Sequence, residues 1–238
     1  MRREDLPTVT VAQMRDVDHW MNQEMGIAVL QRLENTGANF ARLLIERFGR
    51  VPMVVLAGRG NNGAGGLATA RHLVNRGLST RVVLAQPLAG MSPNGAHQLE
   101  TDRAMGIRIS VAPEPIIPEI FAECGVIVDA LVGYALAGQP HGEVGHLIVA
   151  ANESGRPIAS LDVPSGTDPD TGHAYNPHMK ATLTMALGVP KRQCITEEGR
   201  SLVGELYVSD LSMPRGLYTR LGYEGPLLFA DEPVIRLD

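Results

Sequence analysis

Three segments of this chain combine residue types that can bind or transform a polar ligand. The first is a glycine-rich stretch, GRGNNGAGG at 58–66. The other two are VIVDALVG at 126–133 and SLDVPSGTDPDTG at 160–172, which place Asp129 and Asp162 in or just after apolar runs. A carboxylate there is costly unless it is paired, hydrogen-bonded or bound to a cation. Each aspartate is therefore a candidate for acid–base chemistry or cation binding, and capping of backbone N–H groups is the structural alternative for Asp129.

The glycine stretch contains the pattern GxGxxG, between a short apolar run and a helical segment. Glycines there allow a tight turn, and the free N–H groups at a helix start attract an anion. A dinucleotide-dependent dehydrogenase should also carry an acidic residue at the end of the next strand, where this chain has Gln86. No Gly-Lys-Ser/Thr completes a P-loop. The stretch therefore predicts a site for a nucleotide-like ligand in a protein that is neither an ordinary dehydrogenase nor a P-loop protein. The alternative is a glycine-rich turn with no ligand.

The other reactive side chains give weaker signals. Lys191, in GVPKR, follows a predicted strand and could reach the same edge, although a surface position is the default expectation. Asp168 and Asp170 are expected to be solvated turn residues. Cys124 and Cys194 lack a CxxC motif and a histidine at ligand spacing, so free buried thiols are expected.

The alternation of apolar runs and helical segments from Val51 onward predicts parallel strands joined by helical crossovers, with both faces of the sheet covered. Two helices precede it, one opening at a capping box of Thr10 and Gln13 and one over about 28–48. The predicted strands are 51–57, 80–85, 107–111, 126–131, 157–161, 181–186 and 206–208, with 227–229 as a further candidate. The predicted later helices are 67–75, 95–105, 118–124 and 142–152.

In such a sheet a ligand binds beyond the carboxyl ends of the strands. That rule selects the four loops 58–66, 86–94, 133–141 and 162–171. The glycine stretch and the residues that follow the two aspartate strands all belong to this set. The predicted fold therefore brings the three segments to one edge of the sheet.

Composition narrows the classes of function. The chain has 238 residues, 44% of them hydrophobic, which suits one α/β domain over 1–238, with a core at about 8–214 and a tail at 215–238. A net charge of −5 gives no basic footprint, so no nucleic-acid partner is expected. No apolar run reaches the roughly 18 residues of a membrane helix. The opening MRREDLPTVT lacks the apolar run of a secretion signal, so a cytoplasmic location is expected.

The three segments, in this order, resemble those of the YjeF N-terminal-domain family, the NAD(P)H-hydrate epimerases. The family's GNNGGDG is similar to residues 60–66, its DALFGTGL to 129–136 and its DIPSGLDADTG to 162–172. The opening VAQMRDVD and the LENTG at 33–37 are similar to its N-terminal helices. The resemblance spans about 8–214. It implies a Rossmann-like three-layer α/β/α sandwich with a mostly parallel sheet and two N-terminal helices, often as a homodimer.

The resemblance also implies an activity: interconversion of the R and S forms of NADHX and NADPHX, the C6-hydrated nicotinamide nucleotides, as metabolite repair. It makes Asp162 the acid–base residue, and it implies a potassium ion held by Asn62, Asp129 and Ser165, whose hard oxygen donors suit such a cation. The substrate-binding residues it implies are Asn61, Asn62, Gly63, Ala64, Gly65, Gly133, Tyr134, Ala135, Leu136, Ala137, Gly138 and Asp162.

Two departures from the family pattern support a second hypothesis. Gly65 stands where the family has the aspartate of GNNGGDG. The stretch GYALAG at 133–138 stands where the family has GTGLSR, without its threonine hydroxyl and its arginine. Both changes remove groups that could face phosphate. The alternative is a non-catalytic nucleotide-binding or dimeric scaffold module of the same fold.

Overall fold

A computed structural model describes residues 1–113, 117–136 and 138–238. Within these residues eight strands form one sheet in the order β3-β2-β1-β4-β5-β6-β7-β8, parallel throughout except for the antiparallel pair β7–β8. The predicted α/β class with a mostly parallel sheet is confirmed. The strands are β1 Met53–Ala57, β2 Thr80–Leu84, β3 Arg108–Val111, β4 Val126–Ala130, β5 Ile158–Leu161, β6 Leu183–Leu187, β7 Glu205–Ser209 and β8 Val234–Leu237.

The two N-terminal helices lie where the sequence predicts them. At the start of the first, the Thr10 hydroxyl accepts the Gln13 N–H at 3.2 Å and the Gln13 side chain accepts the Thr10 N–H at 2.9 Å, the reciprocal pair of a capping box. A π-helical segment, Trp20–Glu24, extends this helix. The helices are α1 Val11–His19, α2 Val29–Phe48, α3 Asn61–Asn75, α4 Pro93–Ala104, α5 Ile117–Ala122, α6 Gly142–Glu153, α7 Glu197–Arg200 and α8 Arg215–Arg220.

The helices cover both faces of the sheet and give three layers. Successive strand residues point to opposite faces, so Val55 belongs to one apolar cluster and Val54 to another. The first cluster joins the sheet to α2, α3 and α4, through residues such as Phe40. The second joins it to α5 and α6, through Phe121 and Ile148. The core therefore lies on both sides of β1 and β4, the central strands that lead to two of the three segments.

Two elements differ from prediction. Helix α3 begins at Asn61 rather than at residue 67, so most of the glycine stretch is helical. Glycine costs roughly 1 kcal/mol per residue in a helix, and tertiary packing overrides that preference here. The last strand is Val234–Leu237 and not 227–229. Leu228 and Phe229 pack their side chains onto apolar clusters instead of joining the sheet.

A polar cluster is buried between α2, α3 and α4, away from the strand ends. The Arg71 side chain bonds to Glu34 and, at 3.1 Å, to Gln98. Asp102 is fully buried, and neither of its carboxylate oxygens has a hydrogen-bond partner among the described residues. Burial raises the pKa of Asp102 to about 7, with Arg71 opposing the rise and Glu34 adding to it.

Cys124 and Cys194 are free and buried, as predicted. Burial raises the pKa of the Cys194 thiol to about 12. In the described parts of the chain, no helix combines the length and the apolar character needed to cross a bilayer.

Candidate functional site

A cavity of about 520 Å³ opens at the carboxyl ends of the parallel strands. This is the edge that the strand-end rule selects, and the volume lies within the usual range for small-molecule sites. Its walls come from the loops after β1, β2, β4, β5 and β6, and from α1 and α2. Gln86, at the end of β2, is one of the lining residues.

Two glycines hold the loop after β1 in place by letting backbone meet backbone. A Cβ at Gly58 would lie 1.8 Å from the carbonyl oxygen of Leu131, and one at Gly63 would lie 1.8 Å from that of Gly58. No side chain fits at either position. This packing brings Asn61 and Asn62 to the cavity wall.

The three residues that follow the asparagines point elsewhere. Gly63, Ala64 and Gly65 are buried in the first turns of α3 and do not line the cavity. A Cβ at Gly65 would meet Leu161 at 3.0 Å and Thr36 at 3.3 Å. The structure therefore places these three residues behind the wall, where their backbone supports the asparagines.

The loop after β4 supplies another side of the cavity. The predicted residues Gly133, Tyr134, Ala135, Leu136 and Gly138 all line it, whereas Ala137 lies outside the described residues. A Cβ at Gly133 would lie 3.1 Å from Asn62 Oδ1 and 3.2 Å from Asp162 Oδ2. The loop after β4 thus passes between the Asn62 amide and the Asp162 carboxylate. The structure therefore brings all three segments together at the cavity.

Asp162 lines the cavity at the end of β5 while remaining almost fully buried. Its φ of +71° is uncommon for a residue other than glycine, and such a conformation costs of the order of 1–3 kcal/mol. The Tyr134 N–H donates to Oδ2 at 3.2 Å, and Lys191 Nζ donates to Oδ1 at 2.5 Å. Backbone strain and two donors therefore fix the direction of this carboxylate.

Lys191 is fully buried and reaches the cavity, so the default expectation of a surface lysine is wrong. Besides Asp162, its Nζ lies 3.4 Å from the Leu187 carbonyl oxygen and 5.6 Å from the centre of the Tyr134 ring. The N-terminal segment fixes its backbone, because Val9 forms a parallel bridge with Lys191. The one feature of the sequence that pointed to the site was the position of Lys191 a few residues after the apolar strand β6.

Sequence reasoning missed two further residues of the site, Asp18 on α1 and Arg32 on α2. Both line the cavity. The Tyr134 hydroxyl donates to Asp18, and the Arg32 guanidinium pairs with the same carboxylate. Burial and the Asp18 carboxylate raise the pKa of Tyr134 above its usual value. Asp18 ends the stretch VAQMRDVD and Arg32 directly precedes LENTG, but only the packing of α1 and α2 over the strand ends shows that they reach the site.

Asp129 joins the loops after β4 and β5 from below the cavity. It is fully buried, and burial raises its pKa despite four hydrogen bonds. Oδ1 accepts the Ser165 hydroxyl at 2.6 Å and the Leu131 N–H at 3.2 Å. Oδ2 accepts the Ser160 hydroxyl and the Ser165 N–H, each at 2.9 Å. Asp129 therefore caps backbone N–H groups, and its bonds to Ser165 also hold the turn at Ser165 and Gly166 in place.

The donors implied for potassium fit a weakly held monovalent cation in their chemistry. The Ser165 hydroxyl accepts the Val132 N–H at 2.9 Å and donates to Asp129, which leaves one lone pair on its oxygen. The Asn62 amide could bind a cation through its oxygen alone, since its nitrogen, which is buried without a hydrogen-bond partner among the described residues, is a donor. Both Asp129 oxygens already accept two bonds, so this residue contributes mainly its negative charge.

The turn after β5 contains one residue with an unexpected role. Asp168 accepts the N–H groups of Asp170 and Thr171, as expected of a turn residue. Asp170, predicted to be solvated, accepts the Val11 N–H at 2.7 Å. It thereby places a negative charge at the N-terminus of α1, where the helix dipole favours one.

Comparison with known proteins adds to this geometry. Residues 29–193 match the family described as YjeF-related protein N-terminus. An NAD(P)H-hydrate epimerase of Dehalogenimonas lykanthroporepellens is 37% identical over 90% of this chain and 85% of its own length. A bifunctional NAD(P)H-hydrate repair enzyme of Moorella thermoacetica is 31% identical over 93% of this chain, which spans 43% of that longer protein.

A solved structure shares the whole architecture. The crystal structure of the yeast protein ynu0 has a TM-score of 0.85 and covers 98% of this chain and 100% of its own. At 23% sequence identity the likeness concerns the fold. It agrees with the α/β fold described above.

Proposed function

The chain belongs to the YjeF-related N-terminal family, and from that premise we propose that it is an NAD(P)H-hydrate epimerase. It is an isomerase, and its substrates are NADHX and NADPHX, whose R and S forms it interconverts. The observation that carries the proposal is Asp162, which lines a nucleotide-sized cavity beside Asn62 and the loop after β4.

The mechanism requires the hydroxyl on C6 to leave and water to return to the other face. Asp162 passes a proton to the departing oxygen while the C6–O bond breaks, and the lone pair of the ring nitrogen stabilises the cation that forms. Water then adds to the opposite face and releases a proton to solvent, and Asp162 takes a proton back from solvent. The Tyr134 N–H on Oδ2 keeps the carboxyl aimed at the cavity. Positioned acids of this kind typically contribute about 10²–10⁴-fold in rate.

The wall of the cavity fits a ring that carries a hydroxyl and an amide. Polar side chains, among them Asp162 and Asn62, share the wall with apolar residues such as Leu131, Leu136 and Leu187. Small-molecule sites commonly pair an apolar wall with a few placed polar groups. The hydrated nicotinamide therefore takes the inner end of the cavity, and the rest of the dinucleotide extends past Asn61.

We also propose a potassium ion at Asn62, Asp129 and Ser165. When bound, it supplies a fixed positive charge near the anionic substrate. Asn62 and Ser165 would offer oxygen ligands, and Asp129 would balance the charge through its contact with Ser165. Replacing potassium by choline in the assay should lower activity, and Ser165→Ala should weaken the response to potassium.

Two finer proposals concern assembly and location. A homodimer is proposed on the family resemblance, and light scattering of the purified protein tests it. A cytoplasmic location is proposed from the two free thiols and the nicotinamide substrate, since disulfides are rare in reducing compartments. Fractionation of cells with an antibody against the chain tests that location.

The decisive experiment adds the purified protein to a single NADHX epimer and follows the other epimer by chromatography. Asp162→Asn should lose about 10²–10⁴-fold in rate while its fold and nucleotide binding persist, because the amide keeps the shape but delivers no proton. Near-normal turnover of this variant would show that another group is the acid. Nucleotide binding without epimerisation by the unmodified protein would favour the scaffold hypothesis.

A further inference from the structure

Lys191 is a buried charge that none of the sequence motifs explains. The chain has two lysines, Lys180 and Lys191. Lys180 is exposed, whereas the side chain of Lys191 is 0% exposed and that of its partner Asp162 is 3% exposed. Burying two charges costs several kcal/mol per ion, and replacing such pairs by apolar residues is often neutral or stabilising. A pair that also lines the cavity therefore points to a role in the reaction.

The contact between the two side chains creates a problem for the proposed acid. An ammonium group 2.5 Å from a carboxylate favours the ionised carboxylate. An ionised Asp162 has no proton to give to the departing hydroxyl.

Resting on the proposed function, we propose that Lys191 and Asp162 act as one acid, in which Lys191 stores the proton that Asp162 delivers. Oδ1 takes the proton from the lysine and gives the same proton to the C6 oxygen of the substrate. Lys191 acts through Asp162 and needs no contact with the substrate.

The step balances with one proton and no other reactant. Nζ–H breaks and Asp162 gains the proton, which leaves a neutral amine. The carboxyl then gives its proton to the C6 oxygen, whose bond to carbon breaks with the electron pair, so water leaves and the ring nitrogen forms a double bond to C6. When water adds to the other face, it loses a proton to solvent in the cavity, and the pair takes one back.

The surroundings of the pair suit this exchange. Among the described residues, the charged or titratable groups that face it are Tyr134, Cys194 and, through the Tyr134 hydroxyl, Asp18 with Arg32. Burial and Asp18 keep the tyrosine protonated, and burial keeps the Cys194 thiol protonated. Neither group competes for the proton, so it moves between Asp162 and Lys191 alone.

Lys191→Arg tests the proposal because it keeps the positive charge but cannot give up its proton. We expect kcat to fall by about 10²–10⁴-fold with KM changed less than about threefold. Lys180→Met is a matched control at an exposed lysine and should leave both constants unchanged. Full activity of Lys191→Arg would overturn the inference, whereas an inactive unmodified protein would overturn the proposed function.

Lys191→Met gives a second test if arginine does not fit the buried space. Without the ammonium, the buried carboxyl favours its protonated form and can carry its own proton. We expect the activity of this variant, relative to the unmodified protein, to be higher at pH 5 than at pH 8. A loss by the same factor at every pH would overturn the inference, since a purely structural role predicts that result.

A readout without substrate keeps the two proposals apart. Selective ¹⁵N labelling of lysine gives two Nζ signals, and the one absent from Lys191→Met belongs to Lys191. In Asp162→Asn the ammonium is buried without its carboxylate, so its deprotonation should shift to lower pH. An unchanged titration of Lys191 in this variant would show that the two groups do not share a proton.

Discussion

Asp102 and Asp129 are both fully buried, yet replacing each by asparagine should change the free energy of unfolding in opposite directions. Asp102→Asn should raise it at neutral pH, and Asp129→Asn should lower it. Neither oxygen of Asp102 has a partner among the described residues, and its pKa is raised to about 7. An unfolded aspartate ionises near about 3.9, so between pH 4 and 7 the folded state binds more protons than the unfolded state. Stability from this group is therefore present at low pH and lost as the pH rises towards 7.

The size of the loss follows from the shift. Three pKa units at about 1.4 kcal/mol each give about 4 kcal/mol between pH 4 and pH 8. Asp102→Asn removes the ionisation and retains a neutral polar group. It should match the unmodified protein at pH 4 and exceed its unfolding free energy by up to about 4 kcal/mol at pH 8.

Urea unfolding of both proteins at several pH values measures this difference, and subtraction cancels the titration of other groups that the substitution does not disturb. Glu34 and Arg71 face Asp102, so Glu34→Gln in both backgrounds would check for coupling. A difference that does not change with pH, or a variant that is less stable at pH 8, would refute the burial argument.

The remaining predictions concern the site. Asp129→Asn should cost about 2–5 kcal/mol in denaturant unfolding, because either orientation of the amide leaves one backbone N–H facing an NH₂ group; no loss would show that the four hydrogen bonds are not needed. Gly63→Val should abolish soluble folded protein, since its Cβ would lie 1.8 Å from a carbonyl oxygen, and a normal circular dichroism spectrum would contradict this. Tyr134→Phe should raise KM more than it lowers kcat, because it breaks the hydrogen bond that joins the loop after β4 to Asp18 on α1. An unchanged KM in the epimer assay would show that this hydrogen bond does not shape the binding site.

Local signals in the sequence predict most of the fold. Apolar runs separated by helical segments predict the parallel sheet, and the strand-end rule then places the three segments at one edge. Asp162 could be found in this way because it follows a strand within a recognisable turn. The same reasoning could not show that Asp129 points below the cavity, since its direction depends on the serine donors of the neighbouring strand and turn.

What could not be predicted depends on contacts between distant parts of the chain. Asp18 and Arg32 reach the cavity only because α1 and α2 pack over the strand ends. The burial of Lys191 depends on Asp162 and on a bridge with Val9. A lysine next to an arginine in sequence is typical of the surface, and only a buried partner reverses that preference.

The bridge between Val9 and Lys191 has a consequence for how the site comes to exist. It joins residues that lie far apart in the chain, and the Val9 N–H and carbonyl bond to Pro190 and Arg192 on either side of the lysine. Contacts of such long range form late, because the entropy of closing the loop must be overcome first. On the ribosome, α1 and β1 emerge well before β6, so the N-terminal segment waits without its partner. The pair of Lys191 and Asp162 therefore cannot assemble until β6 and the residues after it have left the ribosome.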